Sequence, residues 1–276
     1  MHKNCRACLK YIVFVRACVL ILAGLSVFGI CRAARSSAVV PGPVPAGERL
    51  VRSEVGHFLS AGDQVVVWSR ERSGVGAIRV FERRTKSWRC LAEAHFPVVL
   101  DLQVGPVLGD GRDQIVLALF QRAKLDVRNG NRLYVYSVDE TNGLVPQWRG
   151  SGLSRPFSRF CLLRDGEHAD IVALEKDRLP EDSAFDWISV YCWDGFGVRR
   201  LWDTPVRGRV QSFGAGLDSG GPFITFVQTV NGGNRILKLR PVKNAGGDIE
   251  FTTRIVRTKS STRGEKAKSS HERQNS

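Results

Sequence analysis

The sequence predicts an all-β fold made of about four copies of one four-stranded unit, and three observations carry that expectation. Four short apolar runs recur after turn signals: Gln64-Val-Val-Val-Trp68, Gln114-Ile-Val-Leu-Ala-Leu119, Asp170-Ile-Val-Ala-Leu174 and Phe223-Ile-Thr-Phe-Val227. Their starts lie 50, 56 and 53 residues apart. Each is followed by a run of period-2 alternation, the signature of a half-buried strand: Ala77–Phe81, Arg132–Tyr136, Trp187–Tyr191 and Arg235–Leu239. No long window shows the period of a helix.

The rest of each unit follows in order. A leading strand opens it, at Leu50–Val55, Val99–Val104, Phe157–Leu163 and Arg209–Phe213. A last short strand closes it, holding Trp88, Trp148 or Trp202 in three copies and Ile249-Glu-Phe251 in the fourth. Four strands per unit at this period mark a propeller blade, so residues 49–256 are expected to form a propeller-like array of about four four-stranded blades. A two-layer sandwich of the same strands is the rival architecture. The matched tryptophans are expected to pack in the core rather than to stack on sugars.

The flanks have a different composition. Lys3, Arg6, Lys10 and Arg16 precede an uninterrupted apolar run from Ala17 to Ile30, and small residues follow at Ala33 and Ala34. That order predicts a signal peptide over residues 1–34, cleaved on export. An uncleaved membrane anchor is the alternative; the run is short for a spanning helix. Cys31 follows Ile30, a poor fit to a lipoprotein site. Residues 35–48 read as a Pro/Gly-rich linker, and residues 257–276 as a disordered basic tail.

Charge sharpens the partner class. Of the net +14, residues 1–35 hold six and residues 257–276 hold four, leaving the central 221 residues at +4. The folded body carries no basic stripe, so no nucleic acid is expected as partner, and the membrane only through an uncleaved N-terminal segment. Four of the seven cysteines (Cys5, Cys8, Cys18 and Cys31) leave with the signal. Cys90, Cys161 and Cys192 remain, an odd set expected to be small, buried and reduced.

At the turns between first and second strands, Val104-Gly-Pro-Val-Leu-Gly-Asp110-Gly-Arg-Asp113-Gln-Ile-Val and Leu163-Arg-Asp165-Gly166-Glu-His-Ala-Asp170-Ile-Val resemble the FG-GAP and VCBS repeats of integrin-like propellers. The resemblance spans roughly residues 50–256. It implies a propeller, usually of seven blades where this chain has room for four, so either a small closed ring or a partial array. It also implies turns that can bind calcium through clustered aspartates. Here the acids are Asp63, then Asp110 with Asp113, then Asp165, Glu167 and Asp170, then Asp218. Calcium takes six to eight oxygens, so no cofactor is expected, with Asp165, Glu167 and Asp170 the one candidate set for calcium.

Asp218-Ser219-Gly-Gly-Pro222 resembles the nucleophile segment of trypsin-like serine proteases, with His95 and Asp170 as the nearest stand-ins for the other triad members. Leu217 stands where that family has the glycine that helps build the oxyanion hole. The motif also falls in register with Asp110-Gly111 and Asp165-Gly166, so a repeat turn with Gly220 at positive φ accounts for it. His57, His95 and His168 have no partner at metal-ligand spacing. The expected function is therefore a non-catalytic binding module for a protein or other envelope component; a serine hydrolase around Ser219 and a structural envelope protein are the alternatives. Its candidate surface is the pair of long loops joining second to third strands in units two and three. These carry Gln121, Lys124 and Arg128, and Lys176, Arg178 and Asp182.

Overall fold

The computed structural model describes residues 43–59, 64–122, 127–150, 152–176, 185–230, 233–243 and 249–259. Asp63, Lys124, Arg178 and Asp182 lie outside them, as do the expected signal segment and residues 260–276. The described residues hold sixteen β-strands and no helix, arranged as four separate four-stranded antiparallel sheets. The first sheet runs β1 (Arg49–Gly56), β2 (Gln64–Arg70), β3 (Gly76–Arg83) and β4 (Trp88–Phe96). The second runs β5 (Val99–Gly105), β6 (Gln114–Gln121), β7 (Gly130–Asp139) and β8 (Gly143–Arg149). The third runs β9 (Phe157–Asp165), β10 (His168–Lys176), β11 (Phe185–Trp193) and β12 (Val198–Arg207). The fourth runs β13 (Arg209–Asp218), β14 (Gly221–Val230), β15 (Gly233–Lys243) and β16 (Ile249–Lys259). Each is a simple meander, so the predicted blade-like array is what the chain forms.

The pairing shows the repeat at a level composition does not reach. In every sheet the first strand bulges against the second by one extra residue: Val51, Leu100, Ser158 and Gln211. In every sheet the last strand bulges against the third, at Leu91, Gln147, Leu201 and Val256. A bulge bends its strand and increases local twist, so each sheet is bent twice, on its first and on its last strand.

Alternation along the second and third strands sends side chains to both faces, and both faces are covered. Three apolar cores fill the spaces between successive sheets. Val66, Ile78, Ile115 and Leu117 meet between the first and second. Val116, Leu133, Phe160 and Ile171 meet between the second and third, with Trp148. Val172, Ile188, Ile224 and Phe226 meet between the third and fourth. The leading strands line up beside one another, β1 on β5, β5 on β9 and β9 on β13. Among the described residues no apolar core joins the fourth sheet back to the first.

The two end faces are finished with charge instead, as terminal repeats of a stacked array require. On the outer face of the first sheet Val65, Val67 and Phe81 are covered by Val44 from the preceding segment. Arg79 stands among them only 6% exposed. Glu48 accepts from it at 2.6 and 2.8 Å, Glu93 at 2.9 Å, and Arg79 itself donates to Ser69 at 2.9 Å. The stretch 35–48 is thus not only a linker: its end docks on the sheet. On the outer face of the fourth sheet Phe223 lies across Gly216, where a Cβ would come within 2.7 Å of the ring. Lys238 sits 3.5 Å from that ring's centroid, and Asp218 binds both Lys238 and Arg240.

Two further expectations are corrected. β16 continues to Lys259, three residues into the stretch assigned to the tail, because β15 offers backbone partners at Asn234, Arg235 and Ile236 whatever the side chains opposite. Cys161 is buried, but Cys192 is half-buried and Cys90 exposed, so the three do not behave alike as core residues.

Candidate functional site

In an antiparallel meander the loops after the second and fourth strands share one end of the array, and those after the first and third share the other. The two ends have different chemistry. At the first-strand end the loops are laced together. Asp113 and His57 exchange hydrogen bonds between the second and first sheets, and the Ala169 amide donates to Pro106 O at 3.0 Å between the third and second. Gln64 and Gln114, one repeat apart and both fully buried, fold back onto their own loops. Gln64 accepts from the amides of Phe58 and Leu59, and Gln114 from that of Leu108.

This lacing uses the acids that the resemblance pointed to. Asp113 is bonded to His57 and lies 3.6 Å from Arg164, while Asp110 accepts from the Arg112 amide and from Gln114. Asp165 and Glu167 are exposed and Asp170 half-buried at the β9–β10 turn. Asp170 bonds His168 at 2.9 Å, and burial raises its carboxyl above the usual range. Among the described residues no group of three acids, histidines or cysteines converges as a metal site. Between the leading strands Arg52 bridges Glu54 at 2.5 Å and Asp101 at 2.8 Å. Burial pushes both carboxyls upward against the pull of Arg52.

The triad stand-ins lie on three different sheets with other partners. Ser219 is exposed at the tip of the β13–β14 hairpin. His95 is held by Glu71 at 2.9 Å and Glu93 at 3.0 Å, and Asp170 by His168. Asp218 accepts from Arg240, Lys238 and the Gly220 amide, which hold its carboxyl far below the carboxylate range. Positive φ falls at Gly221, at 92°, and not at the expected Gly220.

The opposite end carries the long loops. Gln121 closes β6 and donates to the Tyr134 hydroxyl, which braces the strand end. Arg128 is exposed. Lys176 closes β10 with its amide on Pro156 O at 2.8 Å, and its side chain lines an open cleft of ≈ 420 Å³ between the third and fourth sheets. Leu174, Phe185 and Val210 give that cleft apolar surface, and Arg159 and Arg209 line it with Lys176. The guanidinium of Arg207 stands 5.9 Å from the Phe185 ring centroid. Among the described residues none of these four cations has a carboxylate partner. Asp186 is the one acid in the lining, and one of its oxygens accepts the Val210 amide at 2.9 Å.

The cleft is shaped by the fold's own irregularities. Ser158, the bulge residue of β9, lines it, and its neighbour Arg159 donates at 2.7 Å to the carbonyl of Gln211, the bulge residue of β13. The chain crosses from the third sheet to the fourth at Gly208, at φ 83°, with Thr229 O only 2.4 Å from where a Cβ would stand. Behind Lys176, Glu175 is wholly buried and accepts from Ser189 at 2.7 Å and Tyr191 at 2.6 Å, with Arg155 at 3.6 Å. Burial and Glu175 together push the Tyr191 hydroxyl up to about 12. Sequence reasoning missed Arg159, Arg207, Arg209 and Glu175. An acid closing the apolar run Ile171-Val-Ala-Leu174 was the available signal for the last.

No protein-family model matches this chain, and no curated protein matches it either.

Proposed function

We propose that this chain is an exported, non-catalytic binding module of the cell envelope, a divergent relative of the FG-GAP and VCBS propellers. It engages a protein or another envelope component through the long-loop end. One observation carries the reading: that end opens into a cleft lined by Arg159, Lys176 and Arg209, which, like Arg207 beside it, have no carboxylate partner among the described residues, whereas Arg52, Arg79, Arg155, Lys238 and Arg240 are tied to acids. An ion pair already formed inside the protein has little left to offer a ligand. A cation without a carboxylate partner at the rim of a cleft keeps more of it.

The export reading rests on the charged, apolar and small-residue order of the first 34 residues. The test of function is site-directed photo-crosslinking of the full chain in its own envelope, with the crosslinker at Lys176 or at Thr141 on the opposite end. Adducts from Lys176 and none from Thr141 are expected. Equal labelling from both positions would count against a binding end.

A further inference from the structure

We propose that the cleft between the third and fourth sheets receives an extended acidic peptide segment, with an apolar side chain flanked by carboxylates. This rests on the reading of the long-loop end as the binding end and names the chemistry of its partner. Arg159 and Lys176 bring positive charge from the third sheet, Arg209 from the fourth, and Arg207 from the last strand before the crossover. Against these four stands Asp186, half of whose carboxylate is occupied by the Val210 amide. The site therefore selects anions. Guanidinium groups favour carboxylate and phosphate oxygens in a forked geometry that a lone lysine lacks.

The apolar lining decides between anions. Phe185 is 38% exposed at the cleft, with Leu174 and Val210 beside it. A free phosphate has no apolar group to bury on that surface, and a sulfated polysaccharide offers only the C–H faces of its rings. A peptide with a leucine between two glutamates buries the one and pairs the others. The shape suits an extended segment, because the cleft follows the gap between two leading strands, β9 and β13, joined there by Arg159 on Gln211 O. Attraction of this kind is strong at low salt and screened as ionic strength rises.

The experiment is fluorescence anisotropy of the full chain with a short labelled peptide alternating glutamate and leucine. A glutamine–leucine peptide, a heparin-type oligosaccharide and inorganic phosphate serve as comparisons. The wild type is expected to bind the acidic peptide best. Lys176→Glu with Arg209→Glu is expected to weaken it by at least about tenfold, the equivalent of losing one charge-assisted pair. Lys86→Glu with Arg89→Glu makes the same charge change at the opposite end and is expected to leave binding within about twofold. Both residues of each pair are exposed, and thermal unfolding is the check that the variants fold. Equal loss in the two double variants, equal binding of the neutral peptide, or tighter binding of the oligosaccharide would overturn the proposal. So would no binding of the acidic peptide at all. That last result leaves the crosslinking at Lys176 to judge the binding end on its own.

Discussion

Asp113 and His57 hold each other through a closed pair of hydrogen bonds: the Asp113 amide donates to His57 O at 2.9 Å, and the His57 amide donates to the Asp113 carboxylate at 2.9 Å. One aspartate thereby fastens the turn of the second sheet to that of the first, in a position almost closed to water. The acid that a calcium-binding repeat would turn toward an ion is here turned toward a backbone. Asp113→Ala takes away the acceptor of the His57 amide and is expected to cost about 0.5–1.5 kcal/mol, the net worth of one hydrogen bond. Asp113→Asn keeps an acceptor oxygen and is expected to cost less. Urea unfolding measures both, and equal loss in the two variants would mean that the charge facing Arg164 matters more than the amide.

Glu175 is the most consequential buried acid of the long-loop end. Its carboxylate gathers Ser189, Tyr191 and Arg155 behind the cleft. Glu175→Ala strands the buried Ser189 and Tyr191 hydroxyls, while Arg155 keeps Asp203 at 2.9 Å, and leaving buried donors unsatisfied costs about 1–3 kcal/mol each. Glu175→Gln retains the hydrogen bonds in part and should fall between. Chemical denaturation gives the order, and an alanine variant as stable as wild type would refute the role of this network.

Acid should act on the first sheet and on the leading strands with opposite signs. Hydrogen bonds from Arg79, with Ser69 assisting, hold the Glu48 carboxyl below its ordinary value. A depressed folded value gives stability that is full above the ordinary carboxylate pKa of ~4.3 and is lost as pH falls through the folded value. Glu54 is raised by burial, so folding favours its protonated form, and stability declines as pH rises from the ordinary value toward the folded one. The deficit of Glu48→Gln relative to wild type is therefore expected to shrink toward acid. Glu54→Gln is expected to gain on wild type as pH rises. Unfolding midpoints between pH ~3 and ~7 cover both windows. Parallel pH dependence of the two variants would contradict the assignment.

The cysteines test the strand order directly. Cys161 on β9 and Cys192 on β11 are separated by β10, which places their backbones about 9–10 Å apart, twice the strand spacing. A disulfide needs Cα atoms at roughly 4.4–6.8 Å. Both are therefore expected to remain thiols even in an oxidising compartment, with exposed Cys90 alkylated first and buried Cys161 last. Peptide mapping without reductant is the measurement, and a Cys161–Cys192 bridge would break the third sheet as described.

How much of this could be read from the chain depends on the physical origin of each feature. The second strands were legible because burial on both faces writes a continuous apolar run around Val66, Ile171 and their counterparts, and the third strands because alternation sets residues such as Ile78 and Val80 on one face. The bulges were not, since Val51 or Leu201 as an extra residue leaves composition unchanged and appears only in the pairing. The end of β16 was missed because polar residues opposite β15 join a ladder through backbone groups alone. The cleft was half legible. Lys176 stood at a long loop, but Arg159 and Arg209 belong to other strands that only the stacking of two sheets brings beside it.

The hairpin at Asp218–Gly221 separates a turn from a nucleophile. Asp218 pairs with Gly221 across two turn residues, Ser219 and Gly220, and accepts the Gly220 amide at 2.8 Å. Gly221 adopts φ 92°, which a β-branched side chain resists, whereas a Cβ at Gly220 meets only the Arg240 guanidinium at 3.0 Å, a flexible group that can shift. Gly221→Val is therefore expected to destabilise by about 1–3 kcal/mol, the usual range for a strained backbone position. Gly220→Val should cost less. Ser219→Ala, at an exposed tip with no strain to relieve, should stay within about 0.5 kcal/mol. A triad serine would show a different pair of results: an unchanged fold and turnover lost by orders of magnitude. Thermal unfolding of the three variants, run beside labelling of the wild type with an active-serine probe, therefore reads both properties. Probe labelling that vanishes in Ser219→Ala would end the non-catalytic reading, and a Gly220→Val penalty larger than that of Gly221→Val would end this account of the turn.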